Sequence, residues 1–156
     1  MNNDKILLQK TIRIAIEGIE QGCGPFGAII AKNGMILAET VNRVTLDSDP
    51  TAHAEVVAIR KAAEALKSHN LAGCTLYCSC EPCPMCLGAI YWAGISQVIY
   101  AYDRHDAAQA GFSDKDIYDE IILEPEKRRI TFKHIADSGG EEVFKVWEEY
   151  ENKIPY

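Results

Sequence analysis

Two short groups of metal-binding residues, well separated along the chain, constrain this sequence more than any other feature. The first is His53-Ala54-Glu55 and the second is Pro82-Cys83-Pro84-Met85-Cys86. Zinc prefers imidazole and thiolate ligands in tetrahedral geometry, and catalytic zinc sites keep one of the four positions open for water. Because His53, Cys83 and Cys86 supply three such ligands, the fold must bring two distant segments together around one open metal position.

The cysteine motif is typical of the start of a helix. Cys83 and Cys86 are three residues apart, which places their side chains on one face of a helical turn. Pro82 and Pro84 suit the first turn, where a backbone donor is not needed. A thiol at a helix N-terminus also ionises more readily, and thiolate is the form that binds metal.

The histidine motif predicts a second helix start. Asp49-Pro50-Thr51 precedes it, and we expect Asp49 or Thr51 to cap the helix. At the first turn, His53 and Glu55 can both reach past the helix end toward an ion on its axis. Glu55 then lies beside the metal without binding it, which is the position of a general base.

Cys80 leaves a second interpretation open. Cys80, Cys83 and Cys86, together with His53, could close a four-ligand structural site, and such a module would act by binding protein or RNA. A structural cage gives no role to Glu55 or to the paired prolines, which favours catalytic zinc. The remaining cysteines fit small buried hydrophobes: Cys23, Cys74 and Cys78.

Length and charge narrow the class of partner. The 156 residues suit a single domain, 1–156, and the net charge of −7 with a pI of about 5.1 argues against a nucleic-acid-binding surface. The one basic cluster, Lys127-Arg128-Arg129, is short and flanked by Glu124 and Glu126. A small-molecule substrate is therefore expected. The sequence shows no apolar run long enough to span a membrane and no secretory signal pattern, and its six cysteines suit a reducing compartment. We therefore expect a cytoplasmic protein.

Alternating helical and strand patterns predict an α/β fold. A first amphipathic helix carries Leu8, Ile12, Ala15, Ile16 and Ile19, and later helices are expected from the histidine motif to Leu66, over Cys83 to Ala93, and near 114–121 and 141–151. The predicted strands are Phe26 to Ala31, Met35 to Glu39, Leu71 to Ser79, Gln97 to Tyr102 and about 130–136, with Asn33-Gly34 as a hairpin turn. The expected result is a three-layer α/β/α sandwich around a mixed five-stranded sheet.

These residues resemble the cytidine-deaminase superfamily and, within it, the small bacterial guanine deaminases. The resemblance covers nearly the whole chain. The segments that carry it are Pro25 to Ala28, Asp49 to Glu55, Ser79 to Ala93, and Ala110 to Asp114. It implies a cytidine-deaminase-like fold, one zinc ion per subunit on His53, Cys83 and Cys86, and Glu55 as the proton shuttle.

The resemblance also implies roles for residues outside the motif. Asn42 is expected to hydrogen-bond the edge of the base, and Phe26 and Phe112 to line or stack on its ring. Asp114 is expected near the departing amine. Trp92 is assigned to the substrate site, although its apolar helix also predicts a core position.

A further implication is a homodimer in which the C-terminal segment, 137–156, crosses to the partner. Tyr156 is then expected to close the partner's active site, and Gly139 and Gly140 are a compatible hinge. The implied reaction is the hydrolytic deamination of guanine to xanthine and ammonia. tRNA adenosine deaminase and cytosine deaminase share the zinc motif and stay open as alternatives.

Overall fold

The computed structural model describes residues 3–155, which divide into two compact units. Unit 1 is Met1–Asp114 and unit 2 is Lys115–Tyr156. The helices of unit 1 are α1 (Asn3–Glu20), α2 (Val44–Asp47), α3 (Ala54–Leu66), α4 (Pro84–Trp92) and α5 (Arg104–Gln109). Its strands are β1 (Gly27–Lys32), β2 (Met35–Val41), β3 (Cys74–Cys80) and β4 (Gln97–Tyr102).

The sheet of unit 1 is mixed, with strand order β2-β1-β3-β4. Strand β1 runs antiparallel to β2 and to β3, and β3 runs parallel to β4 with α4 as the crossover. Asn33 and Gly34 join β1 to β2 with φ of 50° and 79°, the paired positive values of a type I′ hairpin turn. The predicted hairpin and the predicted strand–helix–strand unit are both confirmed.

Helices cover the sheet on both faces. Neighbouring residues of β1 point to opposite sides of the sheet, so they pack against different helices. Ile30 packs in a core with Ala54 and Ala58 of α3 and Ile90 of α4. Ile29 packs instead in a core with Leu7 of α1. The three-layer α/β/α arrangement is thus confirmed for unit 1.

The expected fifth strand at 130–136 is wrong: across residues 3–155 the sheet has four strands. Ile130, Phe132 and Ile135 give this segment a strand-like apolar pattern, but all three side chains are exposed. A strand needs a neighbouring strand for its backbone hydrogen bonds, and no described strand pairs with this segment. The segment therefore has the residue pattern of a strand but no described strand to pair with.

Unit 2 is helical where it is regular. It contains α6 (Lys115–Ile121), a 3₁₀ turn (Pro125–Lys127) and α7 (Gly140–Glu149), which agree with the helices predicted near 114–121 and 141–151. None of its described residues is buried, so unit 2 has no hydrophobic core of its own. Among all the helices within residues 3–155, none has the length and apolar character needed to span a membrane.

Candidate active site

The two ligand helices begin at the predicted metal ligands themselves. His53 is the N-cap residue of α3, with φ −63° and ψ 150°, and Cys83 is the N-cap residue of α4, with φ −66° and ψ 170°. The expectation that Asp49 or Thr51 caps α3 is therefore wrong. Asp49 Oδ1 instead accepts hydrogen bonds from the backbone N and the hydroxyl of Thr51, at 2.8 and 2.7 Å, in a local turn before the helix.

His53, Cys83 and Cys86 converge with the geometry of a tetrahedral zinc site. His53 Nδ1 lies 3.6 Å from Cys83 Sγ and 3.5 Å from Cys86 Sγ, and the two sulfur atoms are 3.6 Å apart. Zinc–sulfur bonds of about 2.3 Å and zinc–nitrogen bonds of about 2.0–2.1 Å give tetrahedral edges of about 3.8 and 3.6 Å. The three ligand atoms therefore fit one zinc ion and leave its fourth position free for a small molecule.

Cys83 is the thiol of this group that is electrostatically prepared to bind a metal ion. The hydrogen bond between the two thiols lowers the pKa of Cys83 and raises the pKa of Cys86. The hydrogen bond with Cys83 raises the pKa of His53. Cys83, at a helix N-terminus, is the thiol that ionises first.

Cys80 lies outside the ligand group. Its Sγ contacts the backbone oxygen of Asp103 at 3.5 Å, and burial raises its pKa to about 11. The thiol is engaged by a backbone carbonyl and is not among the converging ligand atoms. The arrangement therefore disfavours the four-ligand structural site that the sequence left open.

Glu55 lies in the first turn of α3 beside the ligand group and is 7% exposed. Burial raises the pKa of its carboxyl group, and its side chain interacts with Cys86. The turn that carries it is anchored by Thr40 of β2, whose hydroxyl donates to Ala54 O at 2.7 Å. A buried carboxylate with a raised pKa at this place is suited to accept and return protons.

Asn42 follows β2 and is also 7% exposed. Its side-chain Oδ1 accepts the backbone N–H of Val44 at 3.2 Å, and its backbone N donates to Phe26 O at 2.9 Å. Every fully buried polar side-chain atom within residues 3–155 has a hydrogen-bond partner, whereas Asn42 Nδ2 has none among these residues, so this atom is not fully buried. The amide nitrogen is therefore the accessible atom of this side chain, available to a ligand as a donor.

Phe26 and Phe112 form an aromatic pair, with ring centroids 5.0 Å apart in an edge-to-face arrangement. Both rings also line an apolar cavity of about 320 Å³ against α1 and α5. Asp114 follows two residues later, and burial raises its pKa, with the charge of Cys83 acting in the same direction. The segment leading into α6 thus carries an aromatic ring that contacts Phe26 and a carboxyl group that interacts electrostatically with Cys83.

The structure does not bring every predicted residue to this place. Trp92 ends α4, six residues after Cys86, about 9 Å along the helix axis, and its side chain is 72% exposed. Its side chain therefore lies on the surface of the chain. Tyr156 lies outside the described residues.

Two supporting contacts were missed by the sequence reasoning. Glu81 Oε2 accepts the backbone N of Arg104 at 3.1 Å, which ties the loop before α4 to the start of α5. Ser79 Oγ accepts the backbone N of Gly27 at 3.0 Å and fixes the start of β1 against β3. Their positions in the segment Ser79 to Ala93, which carries the family resemblance, were the available signal, but their partners are distant in sequence.

Comparisons with known proteins agree with this chemistry. Residues 1–102 match the family model described as "Cytidine and deoxycytidylate deaminase zinc-binding region". The chain is 49% identical to the guanine deaminase of Bacillus subtilis (strain 168) over 99% of both chains. The solved structure of a B. subtilis guanine deaminase superposes with a TM-score of 0.95 at 49% identity, covering 97% of this chain and 98% of the other.

A second group of relatives matches only part of the chain. The tRNA-specific adenosine deaminase of Aquifex aeolicus (strain VF5) is 43% identical over 60% of this chain and 62% of its own length. The family resemblance predicted from the motifs is therefore confirmed. The chain belongs to the cytidine and deoxycytidylate deaminase family of zinc-binding proteins.

Proposed function

We propose that this chain is a zinc-dependent guanine deaminase that converts guanine and water into xanthine and ammonia. The observation that carries the reaction type is the buried Glu55 carboxylate beside the group of His53, Cys83 and Cys86. The choice of guanine is supported by the likeness to a guanine deaminase over 99% of both chains, whereas the match to a tRNA adenosine deaminase stops at 60% of this chain.

His53, Cys83 and Cys86 would hold the zinc ion. When bound, zinc acts as a Lewis acid that lowers the pKa of a coordinated water to about 7. Glu55 accepts a proton from the attacking water and delivers it to the ring nitrogen next to the carbon that bears the amine. The water oxygen bonds to that carbon, the remaining proton of the new hydroxyl group passes to the amine, the carbon–nitrogen bond breaks, and ammonia leaves. Asp114 assists this last transfer, for which its raised pKa is suited.

Asn42 and the aromatic pair would hold the base. Because Val44 N–H can only donate, it fixes Asn42 Oδ1 as its acceptor and leaves Nδ2 to donate to a carbonyl or ring nitrogen of the purine. Phe26 and Phe112 supply apolar surface for the flat ring. A free base needs no extrusion from a duplex, which suits an acidic chain of net charge −7.

We also propose a cytoplasmic homodimer in which segment 137–156 crosses to the partner. All six cysteines are free, which fits a reducing compartment. Val143, Phe144 and Trp147 of α7 are exposed, an apolar surface that calls for a covering partner. Gly139 caps α7 with φ 78° and serves as the hinge, and Tyr156 would then close the partner's site. Trp92 fits such an interface better than the site of its own subunit.

An ammonia-release assay across guanine, cytosine, adenine, cytidine and a tRNA anticodon stem-loop tests the proposed substrate. We expect turnover of guanine. Turnover restricted to the stem-loop would instead assign tRNA editing, and turnover restricted to cytosine would assign cytosine deamination. If the zinc-loaded protein released ammonia from none of these substrates, the result would favour a structural zinc site.

Intersubunit complementation tests the crossing segment. One variant carries Glu55→Gln with an intact tail, and the other keeps Glu55 but lacks Ile154 to Tyr156. Each alone is expected to be inactive. In a randomly paired mixture about half of the dimers are mixed, and one of the two sites in each mixed dimer has both Glu55 and a complete tail. About a quarter of all sites are therefore expected to regain activity. No recovery in mixtures that contain mixed dimers would show that the tail does not act across the interface.

A further inference from the structure

Gly24 occupies a place where its backbone does not require glycine. Its φ lies outside the left-handed region, unlike Gly22 with φ 82° two residues earlier. Gly24 precedes Pro25-Phe26, and its carbonyl accepts Phe26 N at 2.8 Å. A residue with a side chain could adopt this φ, so the reason for glycine must be sought in the space around it.

That space is occupied by Asn42. A Cβ atom built on Gly24 would lie 3.2 Å from Asn42 Cγ, 3.2 Å from Asn42 Oδ1 and 3.6 Å from Asn42 Cβ. These three are the nearest heavy atoms, so the contact is with the amide that the proposed mechanism places on the substrate. Ordinary packing contacts between heavy atoms are about 3.5–4.0 Å, so a methyl group here must displace the amide.

Asn42 is restrained from moving out of the way. Its Oδ1 is held by Val44 N at 3.2 Å, and its backbone N is held by Phe26 O at 2.9 Å. The side chain is almost fully buried, which limits alternative rotamers. A methyl group on residue 24 would therefore rotate or shift the amide by a few tenths of an ångström and weaken the bond to Val44 N or misdirect Nδ2.

We propose that Gly24 is a positioning residue for the substrate: the absence of a side chain there lets the Asn42 amide nitrogen point at the base edge. The inference rests on the proposed role of Asn42 in binding the purine. Gly24 is not a member of the ligand group, and the atoms nearest to a side chain there belong to Asn42, so the expected effect is on substrate affinity while the metal stays in place. Loss of one well-directed hydrogen bond is worth about 1 kcal/mol, which is a change of about fivefold in affinity.

A double-mutant cycle of Gly24→Ala and Asn42→Ala tests this proposal. We expect Gly24→Ala to raise KM for guanine about fivefold and to weaken xanthine binding by the same factor, with kcat and zinc content close to wild type. In the Asn42→Ala background the amide is gone, so Gly24→Ala should change xanthine binding no further. Gly88→Ala is the matched control, because a Cβ atom there would meet no heavy atom within 4 Å.

The outcomes separate steric positioning from a general effect on the fold. An unchanged KM in Gly24→Ala, or an equal loss of xanthine binding in the Asn42→Ala background, would overturn the proposal. If Gly24→Ala lowers Tm, recovery of Tm in the double variant supports the contact, and a persistent loss refutes it. Wild-type protein assayed alongside tests the substrate independently: if it deaminates another base, the cycle is run with that base and its product.

Discussion

Replacing Glu55 by glutamine should abolish turnover while leaving the fold intact or more stable. The side chain is 7% exposed and burial raises its pKa, so the folded protein disfavours the charged form. Above the ordinary glutamate pKa, the ionised carboxylate therefore costs stability, and a neutral amide of the same shape removes that cost. When both proteins are compared with zinc removed, the variant should melt at the wild-type temperature or above it.

The catalytic loss follows from the proton transfers assigned to Glu55. A positioned general acid–base typically contributes about 10²–10⁴ in rate, which corresponds to about 2.7–5.5 kcal/mol of activation free energy. Glu55 is assigned two transfers, one from water and one to the ring, so kcat is expected to fall toward the upper end of that range. KM should change much less, because Asn42 and the aromatic pair hold the base.

Three measurements on one preparation test the role assigned to Glu55: the rate of xanthine formation, the zinc content per chain and the melting temperature. Glu64→Gln, an exposed position on the same helix α3, is the matched control and should be wild type in all three. A Glu55→Gln variant that keeps its zinc and turns over guanine at the wild-type rate would refute the assigned role. A variant that loses both zinc and activity would show that Glu55 supports the metal site instead.

Other changes test the surroundings of the site. Asp114→Asn should lower kcat with little effect on KM, measured by steady-state ammonia release; an unchanged kcat would leave Asp114 without a role in proton transfer. Thr40→Val, nearly isosteric, should cost about 1 kcal/mol of unfolding free energy because a hydrogen bond to Ala54 O is lost; denaturant unfolding measures this, and an unchanged free energy would contradict the anchoring of the α3 turn. Burial raises the pKa of Tyr77 to about 12, and its hydroxyl donates to Asp4. Stability from this group is present below the unfolded pKa of about 10 and is lost as pH rises toward about 12, so urea unfolding should show a smaller loss over that window in Tyr77→Phe than in wild type. Equal losses in the two proteins would contradict the assignment.

The metal ligands and most elements of unit 1 were predictable because their signals are local. His53, Cys83 and Cys86 stand at spacings that zinc geometry explains, and Asn33-Gly34 specifies its own turn. The cap of α3 was not predictable in the same way. Asp49 is a good capping residue by type, but its oxygen is engaged by Thr51, and the chain extends to His53 before the helix begins.

The remaining differences depend on contacts between distant residues. The segment 130–136 has a strand pattern, but a pattern does not supply a neighbouring strand. Gly24 next to Asn42 is a contact across 18 positions, and Glu81 to Arg104 is one across 23 positions. Propensity and periodicity describe a residue and its neighbours in sequence, so packing of this kind appears only when the chain is folded.

The central claim is that this zinc site acts on free guanine. The most direct test offers zinc-loaded protein both guanine and a tRNA anticodon stem-loop in one reaction and follows xanthine and inosine by chromatography. We expect xanthine to accumulate with one ammonia per xanthine while the adenosine of the stem-loop stays intact. Formation of inosine with guanine unconsumed would contradict the account.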